Sequence, residues 1–247
     1  MRMRKKPNLE LRMDRCASLL AEDPQRLRGR WRSLYPEARA LYLEIGCGKG
    51  RFTVETAAQN PDCLFVAIER VPDAMIIAME RAKAQDLNNV CFIDADAARL
   101  RDYFAPGEVE RIYLNFSDPW PSNRHAKRRL THTDFLMRYR QVLCPGGQIH
   151  FKTDNRDLYE WSLFQFPKAG FSLSEVDRDL HRDGIRGVFT DYEEKFYNLG
   201  TPINRCVGTL AQLPDGMRGW MDPLDKREAS GTPAPKEEAP SRQNLPQ

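Results

Sequence analysis

Residues 43-LEIGCGKGRF-52 decide the fold. The stretch joins the apolar run 40-ALYLEIG-46 to a helix-like segment at 51–59, with Gly46, Gly48 and Gly50 at every second position. Glycine allows tight left-handed turns and lets a ligand come close to the backbone. A strand that passes through such a turn into a helix is where open α/β sheets bind nucleotide-like cofactors, outside the carboxyl ends of the strands. The dinucleotide pattern G-x-G-x-x-G/A would put its third small residue at position 51, and this chain has Arg51 there. The pattern present is E-x-G-x-G-x-G, with Glu44 two residues before the first glycine. An acid at that place suits a cofactor with a positive amino end and repels a pyrophosphate. S-adenosylmethionine carries an ammonium and a sulfonium and no phosphate, so it is the cofactor expected, with Glu44, Gly46 and Gly48 against it.

Outward from this turn, apolar and amphipathic runs alternate. Strand-like runs are 40-ALYLEIG-46, 63-CLFVAIE-69, 90-VCFIDA-95, 109-VERIYLNF-116 and 147-GQIHFKT-153, bounded by Gly, Pro, Asn and Asp. Helix-like runs lie between them at 51–59, 72–86, 97–104, 131–143 and 155–166. Pro72 sits just inside a helix start with Asp73 in its first turn. Thr131 stands three residues before Asp134, the spacing of a capping box, and Pro145-Gly146-Gly147 ends a helix. After 166 the period becomes two, and 171-FSLSEVDRDL-180 and 194-EKFYNLGTPINRCVGTL-210 read as antiparallel strands closing the sheet. The expected architecture is α/β: a Rossmann-like, mostly parallel seven-stranded sheet with helices on both faces and an antiparallel C-terminal strand, which with the E-x-G-x-G-x-G turn resembles a class I methyltransferase. The expected division is a basic N-terminal extension at 1–39 with a short helix around 13–22, a methyltransferase domain at 40–212, and a disordered tail at 213–247 that holds 6 of the 17 prolines.

Composition narrows the class. Hydrophobic residues make up 41% and charged residues 30%, and no apolar run reaches the roughly 18–20 residues that span a bilayer. The start, MRMRKKPNLELRMDR, is basic with no apolar segment behind it, which does not read as a secretory signal. The six cysteines form no C-x-x-C pair and the four histidines have no metal-ligand spacing, so reduced thiols, a cytoplasmic setting and no metal are expected. The net charge of +3 is unevenly spread: residues 1–39 hold 11 Lys and Arg against 5 Asp and Glu, and residues 121–140 hold 6 against 1. Two basic zones on an otherwise acidic chain point to a polyanionic partner.

Further acids stand at successive strand ends. Glu69 closes the second run, where a carboxylate can accept both ribose hydroxyls, and Asp96 follows the third, where it can accept from an adenine amine. The fourth run ends in 115-NFSDPWPSNRHAKRRL-130, so it faces the same crevice. Pro119 and Pro121 stiffen the backbone around Trp120. A rigid indole beside Asp118 can pack a flat base while the acid meets a cation or a donor. Arg124, His125, Lys127, Arg128 and Arg129 follow, and cations there can hold phosphates near the crevice. A flat, negatively charged ligand that meets all of this is a nucleotide within a polynucleotide.

Taken together, 43-LEIGCGKG-50, 115-NFSDPWPSNRHAKRRLT-131, 151-FKTDN-155 and 190-TDYEEKF-196 resemble the tRNA (guanine-N7-)-methyltransferase family, over about residues 38–208. The glycine motif is shared by many methyltransferases; the DPWP…RHxKRRL block with T-x-Y-E-x-K-F is far more specific. The resemblance implies methyl transfer from S-adenosylmethionine to N7 of a guanine in the tRNA variable loop. It implies Glu44, Glu69, Asp96 and Asp118 as cofactor-site acids and Asp118 as the catalytic position. Ser122, Asp154, Thr190, Asp191, Tyr192 and Glu193 fall on its guanine-site positions, although members often carry Lys where this chain has Ser122. Asn123 and Arg124 are candidates to cover that contact.

Guanine N7 attacks through a lone pair without first losing a proton, so no strong general base is required. Fixed negative charge and in-line positioning are required instead, with Asp118 beside the developing purinium and Asp154 and Glu193 on the guanine edge. A rival class, methylation of an exocyclic amine, uses an N/D-P-P-Y/W turn, and here the turn is DPWP. A tRNA-binding module without catalysis is opposed by the intact Glu44, Gly46, Gly48, Gly50 and Asp118. A small-molecule methyltransferase is opposed by the basic cluster at the crevice. The sequence leaves open whether the chain acts as a monomer, a homodimer or with an accessory subunit, and which tRNAs it modifies.

Overall fold

The computed structural model describes residues 6–223 and Asp225. In chain order the elements are α1 (Leu9–Arg15), β1 (Ala40–Ile45), α2 (Arg51–Gln59), β2 (Cys63–Glu69), α3 (Pro72–Ala84), β3 (Val90–Asp94), α4 (Leu100–Tyr103), β4 (Val109–Asn115), α5 (Thr133–Val142), β5 (Leu143–Thr153), α6 (Arg156–Lys168), β6 (Phe171–Asp177), α7 (Asp191–Asn198) and β7 (Asn204–Leu210). The strands form one sheet in the order β3-β2-β1-β4-β5-β7-β6, and β7 runs antiparallel to both its neighbours. The other pairings, β1 with β2 and β4, β2 with β3, and β4 with β5, are parallel. Strand β2 is buried at Cys63–Ile68, as a central strand covered by helices on both faces must be.

The pleat sorts the core into two layers. Leu41, Leu43, Ile45, Ile112, Leu114, Ile149 and Phe151 pack with α4, α5 and α6. Phe65, Ala67, Phe92 and Tyr113 pack with α2 and α3. Glu44, Asn115 and Lys152 alternate with the first set and so share the α2–α3 face. The strand order turns back between β1 and β4, the switch point at which such sheets bind ligands. The turns after β1 and β4 therefore flank one crevice.

Several expectations shift. Residues 191–198 form helix α7 instead of the first part of a strand, because Thr190 and Glu193 make a reciprocal capping box. The expected strands shorten to β6 and β7. Thr131 does not cap α5: His132 does, its Nδ1 accepting from the Asp134 amide, while the Thr131 hydroxyl is buried against Ser162 at 2.7 Å. The short N-terminal helix is α1, followed by a 3-10 turn at Ala17–Leu19. The basic extension is part of the body: Trp31 is fully buried, stacks on Phe104 at 5.2 Å and donates its indole N–H to the Tyr103 carbonyl. The packed chain also runs past 212. Leu213, Met217 and Trp220 lie against the core, and buried Asp222 accepts two hydrogen bonds of 2.8 Å from Arg138. The rest of the expected tail, Leu224 and residues 226–247, lies outside the described residues. Among the described residues no helix is long and apolar enough to cross a membrane.

Gly50 is where helix α3 meets the glycine turn. Its φ is +75°, and a Cβ would lie 2.3 Å from the Ala78 Cβ and 2.8 Å from the Ala78 Cα. Gly48, at φ +57°, would meet nothing within 4 Å. Gly50→Ala should therefore cost overpacking of about 1–3 kcal/mol on top of the roughly 1–2 kcal/mol of left-handed strain that Gly48→Ala also carries. Denaturant unfolding of the two variants checks the ranking; equal losses would refute it.

Candidate active site

The glycine turn is open on its crevice side: Cβ atoms built at Gly46 and Gly48 meet nothing within 4 Å. Glu69, at the end of β2, ties itself to this turn. One carboxylate oxygen accepts the Gly48 amide at 2.8 Å, and the other accepts the amides of Arg70 and Val71 at 2.8 and 3.0 Å. Asp96 caps the 3-10 turn before α4 by accepting from the Ala98 amide at 2.8 Å, and its other oxygen lies 3.5 Å from Arg70. Arg51 points away from any phosphate role, paired with Glu55 at 2.9 Å and Glu194 at 2.8 Å.

Glu44 departs from the expectation of a carboxylate presented to a cofactor. It is 2% exposed, and its two oxygens accept from the Thr53 hydroxyl of α2 and, at 2.9 Å, from the Asn115 amide of β4. Burial raises its pKa, and these two hydrogen bonds oppose the rise. The acid thus forms the wall beneath the glycine turn.

The turn after β4 is strained. Phe116 and Trp120 adopt φ of +52° and +41°, a left-handed region that residues with a Cβ avoid. Asp118 lies between them, exposed, with no hydrogen bond or ion pair to its carboxylate among the described residues. Arg128 covers one face of the Trp120 indole at 4.8 Å, and His125 meets that ring edge-on at 6.0 Å. Ser122, Arg124, Lys127 and Arg128 are exposed on or beside the 3-10 turn Asn123–Arg128. Arg129 is not with them. It is 6% exposed and turned inward, so the expected phosphate contact at this residue does not fit its position.

Helix α7 brings Thr190, Asp191, Tyr192 and Glu193 to the crevice edge, and most of them are occupied by the protein itself. Asp191 makes a two-pronged pair with Arg81 of α3 at 2.8 and 3.0 Å, and Arg81 also donates to the Lys49 carbonyl in the glycine turn. Phe196 stacks on Phe116 with rings 6.1 Å apart. Glu193 is fully buried. One oxygen lies 2.9 Å from His181 Nε2; the other accepts from Lys152 Nζ at 2.6 Å and from the Thr190 amide at 3.2 Å. Both oxygens are taken within the protein, which departs from the expectation that Glu193 holds the guanine edge directly. Tyr192 is 56% exposed. Asp154 is half-buried at the end of β5, where burial raises its pKa and Lys195 opposes the rise.

Sequence reading missed Lys152, His181, Arg81 and Asn115. For Lys152 a signal existed. A lysine between buried neighbours at the end of a strand has to find an anion, and burial here lowers its pKa while Glu193 and Glu44 oppose the fall. Arg81, His181 and Asn115 carried no such signal.

The match to known proteins follows the same span. The methyltransferase family model described as "Putative methyltransferase" covers residues 38–206. The tRNA (guanine-N(7)-)-methyltransferase of Bacillus subtilis (strain 168) is 44% identical over 207 residues, 83% of this chain and 97% of its own length. That of Geobacillus thermodenitrificans (strain NG80-2) is 45% identical over 207 residues, 83% of this chain and 96% of its own length. Among solved structures, the 16S rRNA methyltransferase KamB superposes with a TM-score of 0.59 at 18% identity, over 74% of this chain and 94% of that one, which shows the shared fold. With relatives this similar along nearly their whole length, the chain belongs to the tRNA (guanine-N(7)-)-methyltransferase family.

Proposed function

We propose that this chain transfers a methyl group from S-adenosylmethionine to N7 of a guanine in the variable loop of tRNA, acting in the cytoplasm. The observation that carries this reading is the position of Asp118, a carboxylate unpaired among the described residues, on a strained turn across the switch point from the glycine turn. The residues fit the cofactor. Gly46 and Gly48 leave open space, the partly exposed Glu69 and Asp96 offer acceptor lone pairs beyond the backbone amides they hold, and Arg51, the first residue of α2, is already paired. Glu44 acts from beneath, by fixing Thr53 and Asn115. When bound, S-adenosylmethionine supplies an electrophilic methyl group on a positively charged sulfur.

Asp118 then provides fixed negative charge where the purine becomes positive, with no proton to remove. Trp120 stacks the substrate on the face that Arg128 leaves open, and Asp154 stands at the guanine edge with Ser122 and Tyr192 beside it. Thr190, Asp191 and Glu193 hold α7 in place. Arg124, His125, Lys127 and Arg128 set affinity for the RNA backbone. Arg128→Gln should raise the tRNA KM and reduce the slope of log Kd against log salt by about one; an unchanged slope would remove Arg128 from the phosphate contacts.

The test of the activity itself is to incubate the protein with methyl-labelled S-adenosylmethionine and unmodified tRNA, digest the RNA and identify the labelled nucleoside. Labelled 7-methylguanosine is expected. Label on another nucleoside would overturn the base assignment.

A further inference from the structure

The run 124-RHAKRRL-130 carries four Lys and Arg side chains, and the structure divides them. Arg124, Lys127 and Arg128 are exposed, while Arg129 is 6% exposed. Its Nε donates to the Pro119 carbonyl at 3.0 Å and its Nη2 to the Trp120 carbonyl at 2.9 Å. The guanidinium lies 4.4 Å from the centre of the Trp161 ring on α6, and His132 stacks on the same ring at 6.1 Å. No acid pairs with Arg129 among the described residues; two carbonyls and an aromatic face replace its water.

What Arg129 grips needs holding. Pro119 and Trp120 directly follow Asp118, and both Phe116 and Trp120 sit in the left-handed region. Such backbone persists only where its surroundings over-determine it. Arg129 is also the residue that ends the 3-10 turn Asn123–Arg128, with its amide bonded to the Ala126 carbonyl at 3.1 Å and its carbonyl accepting the His132 amide at 2.9 Å. One residue therefore joins the Asp118 turn and α6 through its side chain and the outward cations through its backbone.

We propose that Arg129 is a positioning residue for Asp118: it sets the turn that aims the carboxylate and locks the RNA-facing cations to it, without touching RNA. This rests on the reading of Asp118 as the catalytic group. Charge alone cannot do the task. A planar guanidinium reaches two carbonyls while lying flat on an indole; an ammonium keeps the charge and loses that fork and stack.

The experiment compares Arg129→Lys, Trp161→Leu and Asp118→Asn. It measures kcat and KM on an unmodified tRNA transcript, the salt slope of tRNA binding, and affinity for S-adenosylhomocysteine. Arg129→Lys should lower kcat by about 10²-fold through misplacement of Asp118. Its salt slope and S-adenosylhomocysteine affinity should stay at the parent values. Trp161→Leu, which leaves every charge in place, should lower kcat in the same manner and less. If Arg129→Lys no longer binds S-adenosylhomocysteine, it has lost its fold and Trp161→Leu decides. A parent-like kcat in the deciding variant overturns the proposal, and so does a salt slope that falls by about one, as a lost phosphate contact would give. Asp118→Asn separates the two readings. If it turns over normally, the catalytic reading of Asp118 fails whatever the others do; if it is impaired while Arg129→Lys is not, only the role of Arg129 fails.

Discussion

Replacing Glu193 by Ala should lower the stability of this protein by about 3–5 kcal/mol, because it leaves the Lys152 ammonium buried without its anion. For a chain of this size that is a fall of about 6–20 °C in thermal midpoint. Lys152 is 7% exposed on β5, and its Nζ has Glu193 at 2.6 Å, the Val188 carbonyl at 3.1 Å and the Phe52 ring at 5.1 Å. Glu193 in turn holds His181 and the start of α7. Removing the carboxylate deletes the partner of a buried cation, an acceptor for His181 and half of a capping box in one step. The double variant Lys152→Met/Glu193→Leu should recover much of the loss, since an apolar pair of similar volume has no charge to strand. Thermal or denaturant unfolding of the three proteins checks this. A single variant that melts within about 2 °C of the parent would show that water reaches Lys152 and that the pair is not the anchor described here.

That anchor also marks where the sequence stops being readable. The glycine turn was legible because its spacing is local: a strand, three glycines and a helix within a dozen residues. The parallel sheet was legible because β1, β2 and β3 are nearly continuous apolar runs separated by amphipathic segments. Helix α7 was missed because 194-EKFYN alternates in the manner of a strand, although Thr190 and Glu193 already had the spacing of a capping box. The acids were found as a set but not sorted. Glu44 and Glu193 sit under cover with their oxygens engaged, whereas Asp118 is exposed and has no partner among the described residues. Nothing local separates them, because the partners that cover Glu44 and Glu193 are up to 71 and 41 residues away along the chain. Arg128 and Arg129 make the same point at adjacent positions. One ends up over the outer face of Trp120 and the other beneath its carbonyl, and only the turn that ends between them decides which.

Asp118→Asn should lower kcat by about 10²–10³-fold, the usual cost of removing one preorganised electrostatic group. During transfer, positive charge leaves sulfur and appears on the purine, so a carboxylate near the ring gains most in the transition state. For that gain to be large the carboxylate has to be held in place and not already neutralised by a cation. Asp118 meets both conditions: the turn around it is set by Phe116, Pro119 and Trp120, and no described side chain pairs with it. Glu44 and Glu193 fail the second condition, since their oxygens are engaged within the protein. Asn keeps the shape and the hydrogen-bonding oxygen and loses the charge, so kcat and kcat/KM should fall together while tRNA KM changes by less than about threefold. Affinity for S-adenosylhomocysteine, which lacks the sulfonium charge, should hardly move. If that affinity instead drops about tenfold and kcat returns at saturating S-adenosylmethionine, Asp118 acts as a clamp on the cofactor, and the charge that stabilises the purinium has to come from Asp154.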